Sequence, residues 1–493
     1  MNPEIVCTIA GSDSSGGAGI QSDLKTFHCF GLHGTAVLTA VTAQNNQQLS
    51  ELAYLAPEFI AAQLAALQTN LAPKAIKLGL LGRQETLRVL ENYLAGYSGP
   101  VVLDPVLRSA SGAHFVSVAL KGYLDRLRRF LRFVDVFTPN RFEAEQLLNR
   151  PLRDAREIQQ GAEALLSLGA KSVLIKGGHF HDPLFSQDYW TDGKTSFWLA
   201  NERACRLNYR GTGCALSAAL TACLALGYEI KDALVVAKMY VNRGIRKAAV
   251  LPGKAAWLYH GDWPEEETDL PYLSDDYQAE LKPPFPLLEE RSLGLYPVVD
   301  RFSWVEQLLP CGLKQLQLRV KDKEGSALEA EIRQSVALAK QYQARLFVND
   351  HWELALRYGA YGVHLGQDDF QRTDFEKLRK AGLRLGISTH GYYEMARAHA
   401  LRPSYLAFGP IYHTTSKAIS LPPQGISRLK RWRRTLSYPL VAIGGINSER
   451  ISEVCSTGVD GVALISAITQ APDPLKATLE LLTRVSQHDP HAK

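Results

Sequence analysis

The chain has 493 residues, 46% of them hydrophobic and 21% charged, with a formal net charge of +5. At ~100–200 residues per domain that length suggests roughly two to four domains, and the composition is that of an ordinary globular protein with ample core-forming residues. So small a charge on so long a chain argues against nucleic acid or a membrane surface as partner, while phosphorylated metabolites, which need only local cations, stay compatible.

The seven cysteines (Cys7, Cys29, Cys205, Cys214, Cys223, Cys311 and Cys455) are scattered and odd in number. They form no Cys-x-x-Cys pair and no Cys/His ligand spacing, so neither a zinc site nor a disulfide framework is expected. No apolar stretch approaches the ~20 residues of a membrane span, and the start lacks a basic n-region. The expectation is a reduced, cytoplasmic enzyme.

Residues 5–10 (Ile-Val-Cys-Thr-Ile-Ala) have a buried-strand pattern, followed by a glycine loop over 11–19 and a helix over about 20–30. Strand, glycine loop and helix in that order make a ligand-binding turn plausible, although no Gly-Lys-Ser/Thr follows and the Walker pattern is not met. Further β patterns cover 35–42, 75–81, 101–105, 136–138 and 172–176, with amphipathic helices between them, for example 57–71 and 153–168. Alternating β and α elements predict a mainly parallel sheet with helices on both faces. Residues 189–199 read as a hairpin with an Asp-Gly turn.

Polar groups gather where these strands end. Asp104 precedes Pro105, Asn140 and Glu143 stand three apart at a helix start, and Lys176-Gly-Gly-His179 closes another strand. Each alone reads more readily as a helix cap or a solvated side chain, but together two carboxylates and a lysine suit Mg²⁺ and phosphate. Gly211 and Gly213 open an Ala/Leu-rich helical run that continues to Gly227. Free N–H groups at a helix start point at an anion, and Cys214 sits in the first turn, where a thiol pKa tends to fall. The helix dipole contributes only ~0.3–1 kcal/mol, against the ~8–23 kcal/mol by which enzymes lower barriers. The loop therefore needs a metal, a cation and a base beside it. By itself it reads equally well as an αβ connection with a buried cysteine.

Residues 264–291 are acidic and proline-rich with little periodicity, and read as a linker packed in part through Tyr272, Tyr277 and Phe285. A flexible tether of that length would reach ~30 Å. The predicted domains are 1–263, the linker 264–291, and 292–493.

Beyond the linker, short apolar runs recur at 295–299, 315–319, 345–348, 361–365, 384–387, 405–408, 440–443 and 461–465. Their number and spacing fit a (β/α)8 barrel, whose strand ends converge on one active face. Asp350 and Asp369 are metal-ligand candidates there. Arg319, Lys321 and Lys417 are cations able to hold a diphosphate. Gly444-Gly445 and Ile465-Ser466, after the seventh and eighth strands, occupy the usual phosphate place of this fold. A metal-diphosphate site beside a monophosphate site points to group transfer with pyrophosphate leaving.

In the first half, six stretches together resemble the hydroxymethylpyrimidine/phosphomethylpyrimidine kinases. They are Gly11-Ser-Asp-Ser-Ser-Gly-Gly-Ala-Gly-Ile-Gln-Ser-Asp-Leu-Lys-Thr26, Thr39-Ala-Val-Thr-Ala-Gln-Asn45, Asp104-Pro-Val106, Pro139-Asn-Arg-Phe-Glu143, Lys176-Gly-Gly-His179 and Gly211-Thr-Gly-Cys214. The resemblance runs to about residue 250 and implies a ribokinase-like α/β/α sandwich. It implies that Asp23 and Gln44 bind the aminopyrimidine, Gly211 and Gly213 form the anion hole, and Cys214 is the base. Lys176 would join them, with Asp104 and Glu143 at the metal. The family usually has Thr-His before the glycine motif and Thr after it, where this chain has Tyr209-Arg210 and Ala215.

The second half resembles thiamine-phosphate synthase over about 293–485. The stretches that carry this are Gln317-Leu-Arg-Val-Lys321, Asn349-Asp350, Gly362-Val-His-Leu-Gly-Gln-Asp-Asp369, Ser388-Thr-His390, Gly409-Pro-Ile-Tyr-His-Thr-Thr-Ser-Lys417, Ala442-Ile-Gly-Gly-Ile446 and Ala463-Leu-Ile-Ser-Ala467. By that resemblance Gln317, Arg319, Lys321, Asn349 and Lys417 bind the pyrimidine diphosphate, Asp350 and Asp369 bind Mg²⁺, and Ser388 lies beside the reacting group. Thr414, Ser416, Gly445, Ile465 and Ser466 would bind the thiazole phosphate. Ser416 replaces a usual Thr, and His413 a usual Pro.

The two resemblances interlock, because one family's product is the other's substrate. They imply a bifunctional thiamine-biosynthesis enzyme using Mg²⁺ and ATP. Its partners would be small molecules (aminopyrimidine, ATP, thiazole phosphate) rather than nucleic acid or membrane, with a homodimer through the kinase domain as a further expectation. The alternative reading is a pyridoxal-type salvage kinase fused to a thiazole-modifying or ligand-sensing barrel.

Overall fold

The computed structural model describes the chain apart from residues 1–2, 46, 109–114, 116–119, 179–181, 183, 205–208, 251–255, 279, 415–421 and 489–493. There are two compact units, Met1–Pro264 with Thr268–Leu281, and Glu265–Glu267 with Lys282–Lys493.

The first unit is built on β1 (Ile5–Asp13), β2 (His33–Gln44), β3 (Leu49–Tyr54), β4 (Ala75–Leu78), β5 (Val101–Leu103), β6 (Val136–Phe137), β7 (Val173–Ile175), β8 (Phe185–Thr191) and β9 (Ser196–Glu202). The short strands β10 (Tyr209–Arg210), β11 (Ala249–Val250) and β12 (Ala256–Trp257) form a separate small sheet. A tenth strand, β13 (Tyr272–Ser274), completes the large sheet in the order β13-β9-β8-β7-β6-β5-β4-β1-β2-β3. The six strands from β2 to β7 in that order run parallel. Their runs are mostly apolar because helices cover both faces, with Thr8 and Lys77 among the buried polar exceptions, whereas β3, β8, β9 and β13 pair antiparallel. From β1 the chain goes to β2 on one side, and β4 later joins β1 on the other. This reversal opens a crevice at the carboxyl ends of β1 and β4, the usual ligand place in such sheets.

Two expectations change here. The loop predicted from Gly11 begins later, since Gly11, Ser12 and Asp13 still pair with Ala40, Val41 and Thr42 after a register shift. Gly11 allows it, because a Cβ there would lie 3.0 Å from Leu80. The predicted linker packs through Tyr277 and Phe285, as expected, but it also contains a strand, which was not expected. β13 pairs with β9, the Tyr277 ring stands edge-on to Trp198 at 5.1 Å, and its hydroxyl donates to Asp182 at 2.8 Å. Phe285 is buried in the second unit, its N–H donating to the Arg402 carbonyl at 2.9 Å. Free-coil reach describes neither part. The predicted Asp-Gly hairpin is β8 and β9.

The second unit is a closed barrel of eight parallel strands, β14 (Gly294–Val299), β15 (Gln315–Leu318), β16 (Arg345–Asn349), β17 (Gly362–Leu365), β18 (Arg384–Thr389), β19 (Tyr405–Phe408), β20 (Leu440–Ile443) and β21 (Gly461–Leu464). Large and small residues alternate inside, as a narrow barrel requires. A Cβ on Gly386 would meet the Tyr405 ring at 2.1 Å, and one on Gly362 the Phe347 ring at 2.7 Å. Tyr296, Phe347 and Tyr405 meet edge to face with centroids 5.1–6.0 Å apart. No helix among the described residues is long and apolar enough to cross a membrane.

Candidate active sites

In the first unit the helix Thr212–Ala225 packs against the helix Gly19–Cys29 and against β1, β4 and β5. It starts at Gly211, whose φ of +79° is left-handed. A Cβ there would fall 2.0 Å from the Gly17 carbonyl oxygen, so only glycine lets the two loops touch. A Cβ on Gly213 would lie 3.2 Å from Lys176 Nζ and 3.5 Å from Asp104 Oδ2. The expected cation and carboxylate therefore stand at the start of this helix. Lys176 Nζ donates to Asp104 Oδ1 at 2.6 Å, and both side chains are largely buried.

Glu143 caps its helix, the other reading that its place at a helix start allows. Its Oε2 accepts the Asn140 N–H at 2.8 Å while Asn140 Oδ1 accepts the Glu143 N–H at 2.9 Å, a capping box. Asn140 and Glu143 thus bond to each other's backbone. Burial pushes the Glu143 carboxyl up to about 7; Lys176 opposes the rise and Asp104 adds to it. Asp104 and Glu143 are two carboxylates sharing one lysine, an arrangement with room for a further cationic charge. Among the described residues no group of three or more His, Cys, Asp or Glu is arranged to hold a metal by itself.

The Cys214 thiol moves opposite to the expectation. Burial pushes it up to about 11, with Lys77 as the largest opposing influence. Desolvation of the charged form outweighs the small return of a helix start. The Gly19 N–H faces its sulfur and favours the thiolate.

Asp23 is wholly buried, and its Oδ2 accepts Thr8 Oγ1 at 2.6 Å and Lys77 Nζ at 2.8 Å. Its Oδ1 has no hydrogen-bond partner among the described residues. Sequence reasoning missed Lys77, whose signal was a lysine inside the apolar run Ala75-Ile-Lys-Leu78. Gln44 is half-buried at the end of β2, its backbone N–H donating to Ser14 Oγ at 2.8 Å and its carbonyl accepting from that hydroxyl at 2.7 Å. Arg210 is buried; it donates to the Asn45 carbonyl and lies 3.9 Å from Asp13. His179 lies outside the described residues.

In the barrel, Arg319, Lys321, Asn349, Asp350, Asp369 and Ser388 line one cavity of about 310 Å³. Lys321 is ion-paired with Asp350. Asp350 takes a left-handed φ of +62°, a conformation that Asp tolerates and that concentrates at functional sites. Asp369 Oδ2 accepts the Gly366 N–H at 2.8 Å. Burial raises the Asp369 carboxyl, and the charge of Asp350 raises it further. Two carboxylates in mutual repulsion inside an oxygen-lined cavity fit a hard cation such as Mg²⁺. Gln317 is buried in β15 beneath this face.

Thr414, Gly445, Ile465 and Ser466 follow β19, β20 and β21 at the same end of the barrel, outside the lining of that cavity. Gly445 has φ +64°, and a Cβ on it would lie 2.3 Å from the His413 carbonyl oxygen. Ser416 and Lys417 lie outside the described residues. The cavity also takes in His390 and Glu394, paired at 2.7 Å, to which the sequence reading gave no role.

Residues 13–258 match the family model for phosphomethylpyrimidine kinase, and residues 295–468 that for thiamine monophosphate synthase. The thiamine-phosphate synthase of Photorhabdus laumondii is 54% identical over 200 residues, covering 40% of this chain and 92% of that protein. The one from Serratia proteamaculans is 51% identical over 205 residues, covering 41% and 96%. Among solved structures, pyridoxal kinase from Staphylococcus aureus in complex with ADP aligns with a TM-score of 0.50 and 31% identity, over 56% of this chain and 98% of that one.

Proposed function

Because this chain belongs to the phosphomethylpyrimidine kinase family over residues 13–258 and to the thiamine-phosphate synthase family over residues 295–468, we propose that its two sites run consecutive reactions. It is a bifunctional thiamine-biosynthesis enzyme. In this reading the first unit phosphorylates 4-amino-5-hydroxymethyl-2-methylpyrimidine with ATP to the monophosphate and then the diphosphate. The second condenses the diphosphate with thiazole phosphate, releasing pyrophosphate and thiamine monophosphate. The observation that carries it is a pair of carboxylates sharing a lysine in each unit, Asp104, Glu143 and Lys176 in one and Asp350, Asp369 and Lys321 in the other.

Asp23 and Gln44 would bind the pyrimidine ring, whose amino group and ring nitrogens need one acceptor and one donor. Cys214 would take the hydroxyl proton, with the Gly211 and Gly213 amides and Lys176 facing the transferred phosphoryl. Asp104 and Glu143 would hold one Mg²⁺, and Asp350 and Asp369 another, each neutralising phosphoryl charge when bound. In the barrel Gln317, Arg319, Lys321, Asn349 and Lys417 would grip the diphosphate as it departs, beside Ser388. Thr414, Ser416, Gly445, Ile465 and Ser466 would seat the thiazole phosphate. The proposal includes a cytoplasmic location, where ATP is supplied, and a homodimer through the kinase unit.

A proton and a cation compete for the Glu143 carboxylate, which burial pushes up to about 7. At limiting Mg²⁺, kinase turnover should fall as pH drops through that value, and the falling limb should move to lower pH as Mg²⁺ is raised. Glu143→Gln should abolish the limb. A limb whose position ignores Mg²⁺ counts against the ligand role.

The decisive experiment supplies the purified full chain with the free pyrimidine, thiazole phosphate and MgATP. The expected products are thiamine monophosphate and one equivalent of pyrophosphate, with ADP from both phosphorylations. The likeness to pyridoxal kinase makes pyridoxal the competing substrate to assay beside it. Phosphorylation of pyridoxal but not of the pyrimidine would overturn the kinase half. No thiamine monophosphate from supplied pyrimidine diphosphate would overturn the barrel half.

A further inference from the structure

The barrel interior carries a line of polar groups where this fold ordinarily packs apolar side chains. Gln317 Nε2 lies 3.5 Å from the Tyr296 hydroxyl, which lies 2.8 Å from the Tyr405 hydroxyl. Tyr405 reaches His364 Nδ1 at 2.7 Å, and His364 Nε2 reaches Ser388 Oγ at 2.8 Å. Tyr296, Tyr405, His364 and Gln317 are all at most 5% exposed. The line ends on Ser388 in the cavity lining and on Gln317, two residues before Arg319 in that same lining.

We infer that this buried relay orients Ser388 as a hydrogen-bond donor into the cavity, which makes Tyr405 a positioning residue for the barrel's reaction. The inference rests on the synthase reading of that site. The direction inferred is the one in which every group along the line has a partner. The Gln317 amide nitrogen can only donate, so Tyr296 accepts from it and has one proton to give to Tyr405. Tyr405 then donates to His364 Nδ1, which leaves the neutral ring its proton on Nε2. That N–H donates to Ser388 Oγ, so the serine's own hydrogen is left for an acceptor on the bound substrate. Packing does not require the hydroxyls, since phenylalanine fills the same space with nothing polar to satisfy. Gly386 leaves the Tyr405 ring its place, as any Cβ there would overlap it.

The test uses the full chain and three variants, Tyr405→Phe, Ser388→Ala and the double. Tyr405→Phe should lower synthase kcat about 3- to 10-fold, the worth of one misdirected hydrogen bond, with both substrate KM values within about twofold. The double variant should be no slower than Ser388→Ala alone, because Tyr405 acts only through the serine. Kinase turnover of the same preparations should not change. If Tyr405→Phe does not fold, Tyr296→Phe breaks the line one step earlier and should show the same dependence on Ser388. Losses that multiply in the double variant, or a single variant as fast as wild type, overturn the inference. Wild-type protein that makes no thiamine monophosphate overturns the synthase reading instead.

Discussion

Cys214→Ala should slow pyrimidine phosphorylation by ~10²–10⁴-fold, the usual worth of a positioned base, while the KM for ATP changes little. The sulfur stands in the first turn of the helix Thr212–Ala225, one residue past the glycine that faces Lys176 and Asp104. Burial pushes the thiol up, so the base role needs its thiolate favoured in the loaded site, and Lys77 and the Gly19 N–H are the groups that do so. Serine at this position keeps the shape but has a far less acidic proton, so Cys214→Ser should fall nearly as far. Synthase turnover on supplied diphosphate is the control for folding. Turnover of either variant comparable to wild type removes Cys214 from the chemistry.

The second large effect is expected at Asp350. Asp350→Asn preserves volume but removes the charge that faces Lys321 and Asp369. We expect kcat/KM for the pyrimidine diphosphate to fall ~10²–10³-fold, the scale seen when one preorganised electrostatic contact is lost. The Mg²⁺ concentration needed for half-maximal rate should rise with it. The Asp369 carboxyl should move toward its ordinary range, because one of the two influences raising it would be gone. Kinase rates in the same protein should not respond. A variant within about threefold of wild type, at any Mg²⁺ concentration, would falsify the metal-ligand assignment.

What could be read from the chain without coordinates was whatever local periodicity and strand-end chemistry encode. All eight barrel strands lie where the apolar runs predicted, to within a residue or two. The polar residue after each strand belongs to one face because closing the barrel leaves it no other direction. Arg319, Lys321, Asn349, Asp350, Asp369 and Ser388 could thus be grouped before their distances were known. Gly211 and Gly213 were legible for a similar reason, since two glycines before an apolar helix mark a close backbone approach.

The misses share a different physics. β13 was hidden because its partner β9 lies some 70 residues earlier, and pairing at a sheet edge leaves little imprint on composition. Glu143 could be read from its spacing as a metal ligand or a helix cap, and only the folded helix start showed the cap, since a side chain three residues into a helix reaches back as readily as outward. The fate of the Cys214 thiol depended on how deeply three-dimensional packing buried it, a larger quantity than the helix end that the sequence made visible. Lys77 gained its partner Asp23 from another element 54 residues away.

Sequence alone therefore determined the two folds and grouped the polar residues at the barrel's strand ends, because both follow from short-range patterns. Tertiary structure alone decided which ionisable groups meet, which are desolvated, and that a line of polar groups joins Gln317 to Ser388. Those are properties of distance and dielectric, and residues far apart in the chain acquire them only when packing brings them together.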